Sequence, residues 1–149
     1  MDDDVFRRDC PARVVLDHVT GRWGVLVLTA LDGGDLRFFE LRNRIEGISE
    51  KMLSQTLRTL VRDGLVERTV EPTVPPKVTY GLTELGRGIG VPLRGLTGWI
   101  REHAAAIGAA RAAHDADHDA DLDADHDRAR KAGGDAGVRV RRNGGTMAG

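Results

Sequence analysis

The segment 49–64 constrains the fold more than any other part of the sequence. Its large apolar residues recur at steps of three and four, which is typical of one buried helical stripe: Leu53, Leu57, Leu60 and Val61. Ser49 is suited to cap the start of that helix, and Asp63-Gly64 is suited to end it. We therefore predict a helix whose opposite face is exposed and carries cationic, amide and hydroxyl groups: Lys51, Ser54, Gln55, Arg58 and Arg62.

Three shorter helices are predicted before this one, over residues 12–19, 23–31 and 38–45. The first follows Pro11, and the second is stopped by Asp32-Gly33-Gly34. A brief extended stretch at residues 36–38 precedes the third, which ends at Gly47. A short helix, a glycine turn and a second helix with basic and amide groups outward form the arrangement that presents a reading helix to the DNA major groove.

Two strands are predicted after the reading helix, at residues 66–70 and 78–82, because apolar residues alternate there. The proline-rich loop 71–77 between them completes a wing, and Arg68 and Lys77 are placed to meet phosphate, with a minor-groove approach by the loop also open. From Arg37 to Lys77, eight basic residues stand against six acidic ones. The predicted DNA-binding residues are Arg37, Ser49, Lys51, Ser54, Gln55, Arg58, Arg62, Arg68 and Lys77.

A last helix is predicted to begin at Thr83, which is suited to cap it. Pro92 and five glycines weaken this helix, so it needs packing to persist. Its apolar residues are Leu85, Ile89, Leu93, Leu96, Trp99, Ile100 and Ile107. We expect the first and last helices of a second copy to cover it in a homodimer; the alternative is that Trp99 and Ile100 complete the core of a single chain.

The composition changes near residue 108. Residues 1–107 are predicted to form one DNA-binding and dimerisation domain, whereas residues 108–149 have few large apolar side chains and are predicted to be a disordered tail. The tail contains the repeat HDADHDADLDADHD from His114 to Asp127. A solvated acidic segment is the simpler interpretation, and a metal-binding protein that uses the tail histidines and carboxylates is the alternative function.

Several protein classes are disfavoured by what the sequence lacks. No apolar stretch has the length of a membrane span, and the acidic start does not look like a secretory signal, so a cytoplasmic location is expected. The single cysteine, Cys10, excludes an internal disulfide. An enzyme and a bound cofactor are not expected, because His18 and His103 have no evident catalytic partner and no phosphate-binding glycine loop is present.

The ordered motifs resemble one known family, the HxlR-type winged helix-turn-helix regulators, whose fold is MarR-like. The resemblance runs from about Cys10 to Ile107. It implies a mainly α fold with a small β-hairpin, and a dimeric bacterial regulator that binds double-stranded DNA and represses or activates a neighbouring promoter. The motifs that carry it are Cys10-Pro11, Gly21-Arg22-Trp23, Leu36-Arg37-Phe38 with Glu40-Leu41, Ile48 to Leu53, Leu57 to Leu60, Asp63 to Val66, Pro75 to Val78 and Tyr80 to Thr83.

Cys10 is the predicted point of entry for a signal. A position just before the start of a helix and near Arg7 and Arg8 favours ionisation of the thiol to the reactive thiolate, whereas the negative charge of Asp9 opposes that ionisation. The resemblance carries a role in sensing quinones, aldehydes or oxidants onto Cys10, and a purely structural role is the alternative. A winged helix that binds another protein and never DNA is the remaining alternative function.

Overall fold

The computed structural model describes residues 4–134, in which five α-helices and three β-strands form. The chain divides between Arg101 and Glu102 into two compact units. In chain order the elements are α1 (Pro11–Thr20), α2 (Arg22–Leu31), β1 (Leu36–Arg37), α3 (Phe38–Arg44), α4 (Glu50–Arg62), β2 (Val66–Glu71), β3 (Lys77–Leu82) and α5 (Glu84–Gly134). The winged helix-turn-helix fold predicted from the sequence is confirmed, with each of the first four helices within three residues of its expected bounds.

The core of the first unit forms where α2, α3 and α4 meet the sheet. Leu41, Leu53 and Leu60 are completely buried there, one from α3 and two from α4. Complete burial of a leucine side chain contributes about 1.5–3 kcal/mol relative to exposure. The periodic apolar residues of the sequence therefore hold the helix-turn-helix pair against the rest of the unit.

The sheet has three antiparallel strands in the order β1-β3-β2. The hairpin of β2 and β3 was expected, and Arg68 of β2 pairs with Tyr80 of β3. The third strand was expected only as an extended segment; Leu36 of β1 pairs with Tyr80 as well, from the other side of β3. A strand of two residues contains too few positions for alternation to show, so its pairing could not be predicted.

Helices α1 and α2 meet at a sharp bend of 72°. The backbones approach so closely that a Cβ at Gly24 would overlap the carbonyl oxygen of His18. Gly24 is therefore required for this crossing. Within residues 4–134, no single helix is long and apolar enough to cross a membrane, and α1 with α2 reaches that length and composition only as a bent pair.

Two of the glycines in α5 have packing roles that the sequence alone did not reveal. Gly86 is buried against the Leu65 backbone, and a Cβ there would overlap the Leu65 carbonyl oxygen. Gly90 is buried against the Asp32 carboxylate, 3.1 Å from where its Cβ would lie. Asp32 in turn accepts hydrogen bonds from Arg94 at 2.6 and 2.7 Å. These glycines weaken the helix locally but let it lie close to its neighbours.

The second unit corrects the prediction of a disordered tail for part of its length. Residues 108–134 are helical, the end of α5, and all of them are exposed. Alanine has the highest intrinsic helix propensity, and it recurs at every fourth residue of the repeat, at Ala116, Ala120 and Ala124, with no proline after Pro92. Repulsion between neighbouring aspartates opposes a helix here, and the propensity of alanine outweighs it. Residues 135–149 lie outside the described part of the chain.

We predict that Gly86→Ala destabilises the protein by about 1–3 kcal/mol, because the new methyl group has to displace the Leu65 backbone. Gly88→Ala, two residues along α5, is the matched control, since nothing lies within 4 Å of its Cβ position. It should raise stability by about 0.5–1 kcal/mol through helix propensity. Urea denaturation followed by circular dichroism measures both, and equal effects for the two variants would contradict the close packing at Gly86.

Candidate nucleic-acid interface

Local interactions define both ends of α4. The Ser49 hydroxyl accepts a hydrogen bond from the Met52 backbone N–H at 3.1 Å, which confirms Ser49 as the N-cap. Glu50 lies in the first turn, where the helix dipole favours an acid. At the other end Gly64 adopts a positive φ of 74°, a conformation that glycine allows without strain. The length and position of the helix are thus set by residues at its two ends.

The outward face of α4 is a continuous polar stripe. With Leu53, Leu57 and Leu60 buried, a helix of about 3.6 residues per turn directs every third or fourth of the remaining positions to the opposite side. All members of this stripe are exposed: Lys51, Gln55, Arg58 and Arg62. The fifth predicted residue of the face, Ser54, is half-buried and lies to one side of the stripe.

A groove separates α4 from the sheet on that side. It has a volume of about 590 Å³, and it brings together four of the predicted DNA-binding residues, Ser54, Arg58, Arg62 and Arg68, with Tyr80. Val61 also lines it and is 37% exposed, so the prediction that Val61 belongs to the buried stripe is wrong. Val61 lies toward the groove because the sheet does not close over that flank of the helix.

The other predicted residues lie apart from this groove. Lys77 is exposed at the far end of the hairpin, where it pairs in register with Glu71. Arg37 is exposed on β1, at the opposite edge of the sheet from β2. Its backbone N–H donates to the Glu40 carboxylate at 3.0 Å, which helps to start α3. The structure therefore gathers the cations of α4 and β2 and leaves Arg37 and Lys77 at the periphery of the sheet.

The second flank of α4 faces the junction of α1 and α2. A cleft of about 200 Å³ there is lined by residues of both sides, including His18, Arg22, Trp23, Met52 and Gln55. The sequence shows no evident acid, base or nucleophile partner for His18, but the structure places an acidic residue beside it. Its Nδ1 lies 2.7 Å from Oδ2 of Asp63, the residue that ends α4, and this contact ties α1 to the end of the helix.

An ion pair fixes the start of α4. Arg42 of α3 donates to Glu50 at 2.7 Å. Both side chains are about half exposed, so the pair contributes at most about 1 kcal/mol, but it joins the two helices of the helix-turn-helix. The carboxylates at the two ends of α4 thus contact α3 and α1, and the outward stripe itself contains no carboxylate.

Cys10 occupies the N-cap position of α1 with its side chain only 4% exposed. The backbone N–H groups of Arg13 and Val14 donate to its carbonyl oxygen, at 3.1 and 3.4 Å. Arg7, one of the cations expected near the thiol, donates to both carboxylate oxygens of Asp9 at 3.2 Å, and this lowers the pKa of Asp9. Much of the Arg7 charge is therefore balanced by Asp9.

Apolar side chains of α1 and α5 remain uncovered in the single chain. Trp99 is 54% exposed and Ile100 is 47% exposed, which rules out the alternative that they complete the core of one chain. On α1, three consecutive apolar residues are exposed to a similar degree, namely Val14, Val15 and Leu16. Both helices assigned to dimerisation thus present apolar surface.

The tail histidines His114, His118 and His126 lie on the helix of the second unit, and all three are exposed. The rings of His114 and His118 stack with their centroids 6.3 Å apart. Within residues 4–134, no three histidine, cysteine or acidic side chains come together closely enough to hold a metal ion.

Comparison with known families gives a match that covers more than half of the chain. Residues 18–107 match the model of the HxlR-like helix-turn-helix. The chain is 46% identical over 108 residues to the uncharacterized HTH-type transcriptional regulator YtfH of Escherichia coli K12, covering 72% of this chain and 86% of that protein.

Solved structures show the same similarity. The structure of ytfH from Salmonella typhimurium, assigned as a transcriptional regulator, aligns with a TM-score of 0.67 at 46% identity, covering 71% of this chain and 95% of that one. The redox regulator HypR in its oxidized form aligns with a TM-score of 0.59 at 36% identity, covering 62% of this chain and 96% of that one.

Proposed function

The chain belongs to the HxlR-like helix-turn-helix family of transcriptional regulators, and we propose that it binds a pseudo-palindromic DNA operator as a homodimer and releases it when Cys10 is oxidised. The observation that carries the DNA-binding part is the stripe of Lys51, Gln55, Arg58 and Arg62. The stripe is exposed and projects from a helix whose two ends are fixed.

The chemistry of the stripe suits the edges of bases in the major groove. An arginine binds guanine through two hydrogen bonds, and a glutamine does the same with adenine. Arg58 and Gln55 lie one turn apart along the stripe, so they reach neighbouring positions of the same groove. Arg68 and Lys77 on the wing supply charge for the phosphate backbone.

The homodimer is supported by the uncovered apolar surface of α1 and α5. Large apolar patches are uncommon on monomeric proteins, because their burial is favourable. A twofold axis would place the same patches of both copies against each other and present two α4 helices to successive turns of DNA. A palindromic operator matches that symmetry.

The redox part is supported by Cys10 and by the alignment with HypR, a redox regulator. Oxidation by diamide takes two electrons and two protons from two thiols, and this chain contains a single cysteine. Cys10 must therefore form its disulfide with Cys10 of the second copy or with a small thiol. Because the side chain is 4% exposed, the start of α1 has to open first, and this couples oxidation to a change in α1.

We predict that Arg58→Ala weakens binding to the DNA upstream of its own gene by at least about tenfold, since one base contact contributes about 1–3 kcal/mol. Arg111→Ala removes the same charge from the exposed helix of the second unit, and its affinity should be unchanged. Fluorescence anisotropy with labelled duplex measures both variants. Unchanged binding by Arg58→Ala would favour a winged helix that binds a protein partner instead.

We predict that Ile100→Glu weakens dimerisation at least about tenfold, because a carboxylate buried in an apolar interface loses its hydration. Val74→Glu is the control, as Val74 is fully exposed at the tip of the wing. Sedimentation equilibrium separates the two variants. A dimer that persists in Ile100→Glu would place the interface away from the end of the first unit.

We predict that Cys10→Ser keeps operator binding and loses release by diamide, because serine provides a similar volume without a thiol. Anisotropy with and without diamide measures release, and a non-reducing gel shows whether the wild-type protein forms a disulfide-linked pair. Release that is the same in the Cys10→Ser variant would exclude Cys10 as the sensor and leave its role structural.

A further inference from the structure

The first turn of α2 lies beside the flank of α4 that faces away from the wing. Arg22 and Trp23 of that turn line the cleft of about 200 Å³ together with Gln55 and Met52 of α4. Gln55 belongs to the outward stripe as well as to this cleft. Arg22 is therefore a neighbour of the reading face, although it comes from a helix outside the helix-turn-helix pair.

The Arg22 guanidinium is held on an aromatic platform. Its Cζ lies 4.4 Å from the centroid of the Trp23 ring, over the face of the indole. Trp23 is half-buried and packs against the core, so the platform itself is fixed. Arg22 is exposed, and no acidic side chain in the described part of the chain forms an ion pair with it. A fixed cation of this kind has its hydrogen-bond donors available to an external anion.

The position of Arg22 complements that of Arg68. Arg68 lines the groove on the sheet side of α4, whereas Arg22 lines the cleft on the opposite side. A helix that enters the major groove has a sugar-phosphate backbone on each side of it. One cation on each flank of α4 thus matches the two phosphate strands that border the groove.

We propose that Arg22 binds a backbone phosphate of the operator on the strand opposite the wing and thereby sets the orientation of α4 in the groove. This inference rests on the proposed function, since it requires α4 to enter DNA. The planar guanidinium donates two parallel hydrogen bonds to phosphate oxygens while it stays stacked on Trp23. A phosphate contact carries no sequence information, so Arg22 contributes affinity and orientation rather than base specificity.

Arg22→Ala tests the proposal through the salt dependence of binding. The logarithm of the affinity should depend less steeply on the logarithm of salt concentration, by about 0.9 per protomer and about 1.8 for a dimer. Affinity at low salt should fall by about tenfold, and by the same factor for the operator and for an unrelated duplex of equal length. Arg111→Ala, tested in parallel, should keep the wild-type slope.

Arg22→Lys is the control for a folding defect in Arg22→Ala. It keeps the positive charge at this position, although lysine stacks less well than arginine on Trp23. It should recover the wild-type salt slope with only part of the lost affinity. A slope for Arg22→Ala equal to that of the wild type, while Arg58→Ala loses affinity, would overturn the role of Arg22 and leave the proposed function intact. A slope for Arg22→Lys as shallow as that of Arg22→Ala would also overturn it. Failure of the wild-type protein to bind any duplex at low salt would overturn the proposed function itself.

Discussion

Burial of the leucine stripe on α4 is the constraint on which the rest of the interface depends. Leu53 and Leu60 are completely buried and Leu57 is 2% exposed, so α4 cannot rotate about its axis without exposing them. A rotation by one residue, about 100°, would carry Lys51, Gln55, Arg58 and Arg62 off the outward face. Burial of the leucines therefore sets the direction in which the polar side chains project, although the polar side chains are not themselves buried.

Close backbone approaches transmit that constraint to the neighbouring helices. Gly24 lets α2 cross the end of α1, and Gly86 lets α5 lie on the chain just after α4. The hydrogen bond between His18 and Asp63 then joins α1 directly to the end of α4. A displacement of α1 at Cys10 thus has a short physical route to α4, through a helix of ten residues and one side-chain contact.

Much of this architecture could be predicted from the sequence because its signals are local. Periodicity and end residues located the first four helices, and alternation located the wing strands. Contacts between distant segments could not be predicted in the same way. His18 and Asp63 are 45 residues apart, and nothing in either neighbourhood indicates the other. The exposure of Val61 depends on the shape of the groove beside the sheet. The tail helix could not be predicted because alanine propensity and aspartate repulsion oppose each other there, and the sequence pattern alone does not decide between them.

Ion pairs occupy some arginines of the first unit and leave others without a carboxylate partner in the described part of the chain. Arg42 and Arg94 bind the carboxylates of Glu50 and Asp32, and these contacts join one helix to another. Four of the arginines without such a partner surround α4: Arg22, Arg58, Arg62 and Arg68. The net charge of −1 conceals this separation, because it adds the acidic repeat to the cations of the interface. Salt screens the interaction between exposed charges beyond about 8–10 Å at physiological ionic strength. A phosphate near α4 therefore interacts with the cations around that helix and not with the net charge of the whole chain. The positions of the carboxylates are then as informative as those of the arginines. An arginine that pairs with a carboxylate stabilises the fold, whereas an arginine with no carboxylate nearby keeps its positive charge available to a ligand.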